Sequence, residues 1–283
     1  MSASGSIAGE GSDLRINTTL VINSKGGSGK TTVTTNLASY FAARNIPTTI
    51  MDYDPQGSCL NWLRLRPAHA TRIHGANAAH QRGGRLRSVE MHVPAETRQL
   101  IIDAPAGASG LLLQEMLARA HCILIPVAPS AIDIHATANF IRDLLLAGKI
   151  RARDARLAVL ANRVRSSMPV YQPLERFLSS LSLAFLTRLG DSDVYVKAAE
   201  TGVGIFELDA SVSAAERQAF MPIVEWIDGE QKPRVDAKVI ELAAPAGLKA
   251  AAASAGPKGT AAPVRASPRP AFSWIQSWAR PGR

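Results

Sequence analysis

Short apolar runs alternate with stretches of helical periodicity between about residue 15 and residue 229. Each run is rich in Ile, Leu and Val, which is typical of strands buried on both faces of a parallel sheet. From this pattern we predict strands over residues 18–23, 48–52, 99–103, 122–127 and 157–164.

Helical patterns occupy gaps between the predicted strands, over residues 30–44, 109–120 and 130–148. In the last of these, Ser130 is placed to cap the start of the helix and Gly148 to end it. Alternation of strands and helices predicts an α/β fold, in which a mostly parallel, twisted sheet carries helices on both faces.

The two ends of the chain depart from this pattern. Residues 1–16 are small and polar and lack the basic and apolar regions of a signal peptide, so we expect a short disordered leader. Residues 230–283 are rich in Ala, Pro and Gly, a composition that cannot bury a core. We therefore expect one domain over residues 17–229, followed by a disordered tail that ends in an aromatic segment.

The charge, the cysteines and the apolar run lengths indicate which partners and which cellular setting to expect. The net charge of +9 favours anionic partners such as nucleic acid or an acidic membrane surface, and the tail alone carries nine Lys/Arg against three Asp/Glu. Cys59 and Cys122 lack metal-like spacing, which argues against a zinc site or a disulfide framework and favours a reducing cytoplasm. No run of about eighteen apolar residues occurs, so we expect no membrane-spanning helix.

Residues 23–32 read NSKGGSGKTT and lie between a predicted strand and a predicted helix. The backbone N–H groups of such a glycine-rich turn would surround the β- and γ-phosphates of a nucleotide. Lys30 would reach the phosphate oxygens, and the Thr31 hydroxyl would bind Mg²⁺. The usual P-loop pattern has a glycine where this chain has Ser24, so a glycine-rich surface turn beside two lysines is the alternative at this point.

The segment KGGSGKTT closely resembles the deviant Walker A motif of the ParA/MinD superfamily of P-loop ATPases. The resemblance implies that residues 17–229 are an ATPase domain that uses ATP and Mg²⁺. It also implies that Lys25, the signature lysine of the family, crosses the interface of an ATP-bound dimer and contacts the partner's phosphates, as an arginine finger does. The implied nucleotide-binding residues are Lys25, Gly26, Gly27, Ser28, Gly29, Lys30, Thr31 and Thr32.

Three further segments extend the resemblance. The first is MDYDPQGS, residues 51–58. Here the resemblance implies that Asp54 orients or activates the attacking water and that Asp52 supports the Mg²⁺ shell. The alternative is a simple turn at Asp54-Pro55. LIIDAPAG, residues 100–107, resembles a Walker B strand, so Asp103 would act on Mg²⁺ through a water. LANRV, residues 160–164, resembles the adenine-recognition segment, with the Asn162 amide on the purine edge. The implied catalytic set is Lys25, Lys30 and Asp54, and the implied metal-binding set is Thr31, Asp52 and Asp103.

The segment DPQGSCLNW, residues 54–62, resembles the small plasmid-partition and orphan ParA proteins. This implies a slow, Mg²⁺-dependent ATPase that forms an ATP-bound homodimer and binds non-specific DNA of the nucleoid in the cytoplasm. A stimulating partner or cargo adaptor would trigger hydrolysis, and the cargo would be a plasmid, a chromosome locus or a protein organelle such as a carboxysome. Expected DNA contacts are Arg163, Arg165, Arg188 and Arg217, with Arg151, Arg153 and Arg156 as a second basic run; for each arginine a solvated surface charge is the alternative.

Two alternatives come from other parts of the chain. Ala271, Trp274, Ile275 and Trp278 would share one helical face, which suits an interfacial membrane anchor like that of the MinD branch. Iron–sulfur reductases also occur in the superfamily, but the positions of Cys59 and Cys122 fit a shared cluster poorly.

Overall fold

The computed structural model describes residues 15–79, 87–146, 155–165 and 183–229. In these residues seven parallel strands form one sheet, in the spatial order β3-β2-β4-β1-β5-β6-β7. Because every strand runs in the same direction, the loops that follow the strands meet at one edge of the sheet. The strands are β1 (Asn17–Val21), β2 (Thr48–Asp52), β3 (His74–Asn77), β4 (Gln99–Asp103), β5 (Cys122–Val127), β6 (Arg156–Val164) and β7 (Ala184–Gly190).

Within the described residues, helices lie between successive strands from β1 to β6 and after β7, and they cover both faces of the sheet. A short 3₁₀ turn, Ile205–Glu207, precedes the last described helix. Within the described residues no helix has the length and apolar character needed to cross a membrane. The helices are α1 (Lys30–Ala42), α2 (Ser58–Leu65), α3 (Arg87–Glu90), α4 (Gly110–Arg119), α5 (Ala131–Leu146), α6 (Asp193–Glu200) and α7 (Ala210–Asp228).

Successive residues of the central strands enter two different apolar cores. Leu20 of β1 belongs to the core that contains Phe140 of α5, whereas the next residue, Val21, belongs to the core that contains Leu37 of α1 and Phe220 of α7. All five residues are at least nine-tenths buried. Strand side chains point alternately to the two faces of a sheet, so a strand that is apolar at every position requires helices on both faces.

The predicted α/β fold and its parallel sheet are confirmed, with small differences in the bounds of the elements. All five predicted strands are present; β1 ends at Val21, two residues before the predicted end, and the Asn23 side-chain amide donates to the Pro126 carbonyl. The Ser130 hydroxyl accepts a hydrogen bond from the Asp133 N–H, as predicted for a cap. Gly148, most of the leader and the whole of residues 230–283 lie outside the described residues.

The apolar pattern did not predict the two edge strands, β3 and β7. Only Ala76 of β3 and Leu189 of β7 are buried. An edge strand pairs on one side only and is covered less completely than a central strand, so its sequence lacks a continuous apolar run. The loop that follows β7 therefore lies at the same edge of the sheet as the loops that follow the other strands. The sequence pattern did not indicate this loop.

A buried arginine joins the end of α2 to the 3₁₀ turn before α7. The Arg66 guanidinium donates to both carboxylate oxygens of Glu207, to the Gly202 carbonyl and twice to the Thr71 carbonyl. All five guanidinium N–H groups therefore have an acceptor. The same turn reaches α1, since the Ile205 N–H donates to the Asn36 side-chain oxygen at 2.8 Å. This network fixes the turn against the helix that begins at the glycine-rich loop.

Candidate nucleotide-binding site

The glycine-rich loop between β1 and α1 has the backbone of an anion-binding turn. Gly27 and Gly29 have φ of +76° and +87°, a region that residues with a side chain adopt rarely. A Cβ on Gly29 would also lie 1.8 Å from Nδ2 of Asn162, so this position requires glycine on two grounds. The loop lies at the N-terminus of α1, where free backbone N–H groups favour a phosphate.

The two lysines of the loop have different environments. The Lys30 side chain is buried, and its Nζ donates to the Lys25 carbonyl at 3.1 Å. Burial lowers the pKa of Lys30, while Asp103 and Asp54 act in the opposite direction. The side chain of Lys25 is 43% exposed, and its Nζ lies 3.9 Å from Asp133 at the start of α5. Lys30 is thus directed into the loop, and Lys25 lies on its open side.

Asp103, the last residue of β4, receives three side-chain hydrogen bonds. Thr31 donates to its Oδ2 at 2.8 Å, Thr34 to its Oδ1 at 3.2 Å and the Cys59 thiol to its Oδ2 at 3.2 Å. Burial is the main cause that raises the pKa of Asp103 to about 6. A hydroxyl beside a buried carboxylate is a set of hard oxygen donors, which is what Mg²⁺ prefers. Thr31 and Asp103 therefore fit a magnesium ion beside the loop.

Asp52 is the last residue of β2 and Asp54 follows it by two positions, and the two carboxylates have different surroundings. Asp52 is fully buried, and its oxygens accept from the backbone N–H groups of Asp54, Cys59 and Leu60. Burial, the largest effect, raises the pKa of Asp52 above its ordinary value, and the backbone hydrogen bonds act in the opposite direction. Asp54 is partly exposed and lines the same cavity as the glycine-rich loop. Asp52 thus holds the turn between β2 and α2, and Asp54 is the carboxylate of the pair that faces the cavity.

The cavity has a volume of about 650 Å³ and extends from the glycine-rich loop to the ends of β6 and β7. This size is within the usual range for small-molecule sites. Gly26, Lys30, Thr31, Thr32 and Asp54 line its first end. Its second end is lined by Asn162, Arg163, Gly190, Asp191, Ser192, Tyr195, Val196, Ala199 and Glu200.

Asn162 connects the two ends of the cavity. Its amide donates to the Ser28 carbonyl at 2.8 Å, so β6 holds the glycine-rich loop through this side chain. The next residue, Arg163, has φ of +56°, and its side chain lies 3.5 Å from Asp191, to which Arg165 is paired at 2.6 Å. In this structure the Asn162 amide is thus directed at the loop, while Arg163 and Asp191 lie at the far end.

The lining residues after β7 were not identified from the sequence. No strand was predicted over residues 184–190, so β7 and the loop that follows it were missed. A strand predicted over residues 184–190 would have placed Asp191 and Ser192 at the same edge of the sheet as the loops after β1, β2 and β4.

The arginines expected to contact DNA are in different settings. Arg163 and Arg165 share Asp191, and Arg188 is exposed beside the Phe185 ring. Arg217 is half-buried and donates to the carbonyls of Ile205 and Leu208.

Arg156, from the second basic run, donates to three carbonyls at the C-terminal end of α7, including that of Ile227. The Arg156 guanidinium thus caps the C-terminal end of α7. Arg151 and Arg153 lie outside the described residues.

Comparison with known proteins identifies the family. The family model for the CobQ/CobB/MinD/ParA nucleotide-binding domain matches residues 19–204, so the chain belongs to this family. The sequence is 25% identical over 195 residues to the maintenance of carboxysome distribution protein A of Halothiobacillus neapolitanus, with 68% of this chain and 88% of the relative covered. It is 26% identical over 141 residues to Protein ParA of Rhizobium radiobacter, with 49% and 60% covered. The resemblance to the ParA/MinD superfamily is confirmed.

Solved structures with the same fold include nucleotide complexes. The ATP complex of Cyanothece McdA has a TM-score of 0.58 at 14% identity and covers 76% of this chain and 98% of that structure. MinD cell division protein of Aquifex aeolicus has a TM-score of 0.56 at 19% identity, with 76% and 98% covered. MinD of Pyrococcus horikoshii with Mg-ADP has a TM-score of 0.55 at 15% identity, with 76% and 96% covered. At these identities the likeness shows the fold alone.

Proposed function

We propose that this protein is a ParA-type ATPase that positions or segregates an intracellular cargo. The main observation in support is that the two lysines of the glycine-rich loop differ in their surroundings. Lys30 is buried against the loop, and Lys25 is partly exposed on its open side. A nucleotidase that acted as a monomer would need only the buried lysine. An additional exposed lysine beside the phosphates is suited to a second protomer, which matches the behaviour of the family.

ATP would lie in the cavity with its phosphates in the glycine-rich loop and its base toward β6 and β7. Backbone N–H groups and Lys30 would bind the phosphate oxygens, which removes the need for water to solvate them. Thr31 and Asp103 would hold Mg²⁺, and the bound ion would neutralise part of the phosphate charge. Asp54, on the cavity wall after β2, would orient the attacking water, and Asp52 would hold the turn that carries Asp54.

Lys25 would act on the phosphates of the partner protomer in an ATP-bound homodimer. In the protomer described here its Nζ is 3.9 Å from Asp133, a distance at which a partly exposed ion pair contributes about 0–1 kcal/mol. This contact is weak enough to be exchanged for a phosphate. A charge supplied in trans makes hydrolysis depend on dimer formation.

The dimer would bind non-specific DNA of the nucleoid and release it after hydrolysis stimulated by a partner protein. The net charge of +9 and the relatives named for plasmid partition and carboxysome distribution support this proposal. Of the four arginines expected to contact DNA, Arg163, Arg165 and Arg188 are exposed; the internal hydrogen bonds of Arg217 leave it fewer free donors. A plasmid, a chromosome locus and a protein organelle are all cargoes of the expected kind.

Binding to a random-sequence duplex tests the proposal, measured with ATP, with ADP and without nucleotide between 50 and 200 mM salt. We expect binding with ATP only, falling by about 10³-fold or more over this range, as for a protein with several phosphate contacts. The variant Lys25→Ala should still bind ATP but not DNA. Equal DNA binding with and without ATP contradicts the dimer-dependent mechanism. ATP hydrolysis without DNA binding favours the membrane alternative, for which anionic vesicles are the next surface.

A further inference from the structure

Cys59 lies at the start of α2, between the ends of β2 and β4. Its N–H donates to Asp52 at 3.0 Å, and its thiol donates to Asp103 at 3.2 Å. The residue is fully buried. Asp52 and Asp103 are themselves opposite each other in the sheet, so Cys59 contacts both carboxylates where the two strands end.

The contacts of Asp103 show what the thiol adds. Two of its three side-chain donors, Thr31 and Thr34, come from α1, and Cys59 comes from the opposite side, from α2. Without the thiol, one oxygen of Asp103 is held by Thr31 alone and the other by Thr34 alone. Among the described residues, no other hydrogen bond from α2 then reaches this carboxylate.

We propose that Cys59 is a positioning residue that fixes the Asp103 carboxylate in the orientation used for magnesium. The inference rests on the proposed function, in which Asp103 and Thr31 hold the ion. Groups that hydrogen-bond a metal-binding side chain commonly change metal affinity by about 10–100-fold when they are removed. The thiol would therefore act on Mg²⁺ affinity through Asp103 without touching the nucleotide.

The chain offers a matched control for this test. Cys122 is the second cysteine, is also fully buried, and lies on β5 with its sulfur against Arg156. Cys59→Ala and Cys122→Ala remove the same atoms from buried positions, so both include the packing loss. Only Cys59→Ala removes a hydrogen bond to Asp103. Cys59→Ser keeps a donor at the position and tests rescue.

The measurement is binding of a fluorescent ATP analogue to the full-length protein at fixed concentration, with Mg²⁺ titrated. We expect Cys59→Ala to need about 10-fold more Mg²⁺ or more for half-maximal binding, whereas Cys122→Ala stays within about twofold of the wild type. Cys59→Ser should fall between the wild type and Cys59→Ala. Melting temperatures of all variants report the packing loss separately.

Each outcome decides between the possibilities. Equal Mg²⁺ midpoints for Cys59→Ala and Cys122→Ala overturn the positioning role. Should Cys59→Ala fail to fold, Cys59→Val against Cys122→Val gives the same comparison, because valine has nearly the volume of cysteine but no donor, and equal midpoints again overturn the role. A wild-type protein that binds the analogue independently of Mg²⁺ overturns the proposed metal site itself, and the role of Cys59 with it. A weaker Mg²⁺ response in Cys59→Ala alone, with normal responses in the wild type and Cys122→Ala, supports the positioning role and leaves the proposed function intact.

Discussion

Replacing Arg66 by alanine should strongly destabilise the domain. The Arg66 side chain is 6% exposed and that of its partner Glu207 is 11% exposed. The substitution removes five hydrogen bonds and leaves the Glu207 carboxylate buried. Within the described residues, Glu207 then keeps a hydrogen bond from the Gly204 N–H, at 2.9 Å. The energetic penalty therefore comes mainly from an uncompensated buried charge.

The size of the effect follows from the kind of contact that is broken. Removal of one partner of a buried ion pair typically costs about 3–5 kcal/mol, compared with about 5–15 kcal/mol for the whole free energy of unfolding. For a domain of this size, 1 kcal/mol corresponds to about 2–4 °C in melting temperature. We therefore expect Arg66→Ala to lower the melting temperature by about 6–20 °C.

Urea unfolding followed by circular dichroism measures this loss, with Arg64→Ala as the control. Arg64 lies two residues earlier, in the last turn of α2, but it is exposed and contacts Asn61. Its replacement should change the free energy of unfolding by no more than about 0.5 kcal/mol. The double variant Arg66→Ala/Glu207→Ala should be less destabilised than the sum of the two single variants, because neither charge is then left alone.

Two results would refute this reasoning. A loss below about 1 kcal/mol for Arg66→Ala would mean that water reaches Glu207 and solvates it. Additive losses in the double variant would mean that the arginine acts through packing on Trp62, over whose ring its guanidinium lies at 5.4 Å, and not through the carboxylate.

Three further predictions concern the nucleotide cycle. Lys30→Ala should weaken ATP binding by about 10–100-fold, the value of a lost charge-assisted contact, and unchanged affinity in calorimetry would contradict the role of Lys30. Asp54→Ala should bind ATP normally but hydrolyse it about 10²–10⁴-fold more slowly and remain on DNA; wild-type turnover would exclude Asp54 from catalysis. Lys25→Ala should bind nucleotide but lose about 10³-fold or more in turnover and fail to dimerise, and an ATP-dependent dimer in light scattering would count against a lysine supplied in trans.

The central sheet was predictable from the sequence because its strands are buried on both faces. β2, β4 and β5 have the predicted bounds, and β1 and β6 differ by one or two residues. The edge strands β3 and β7 were missed because one-sided pairing leaves little need for apolar side chains. For the same reason, the part of the cavity wall that follows β7 was not identified.

The candidate site was predictable where its residues belong to a short local motif. The loop from Lys25 to Thr32 can be identified from its glycines and lysines, and Asp103 from the apolar strand that it ends. The contact of Cys59 with Asp103 joins residues 44 apart, and no local pattern indicates it. Pairings of this kind depend on how strands are ordered in the sheet, which periodicity does not specify.

The hydrogen bond from Asn162 to Ser28 spans 134 residues and has a consequence for biosynthesis. A ribosome releases the glycine-rich loop early, but the side chain that secures it emerges only after β5 and most of β6 have been made. A chain that ends before residue 162 would thus contain the glycine-rich loop without the hydrogen bond that holds it, and would bind ATP poorly. ATP added to a series of C-terminal truncations should accordingly protect from proteolysis only those chains that extend past residue 162. On the proposed function, this order would delay ATP binding, and with it association with a second copy, until the greater part of the domain has been made.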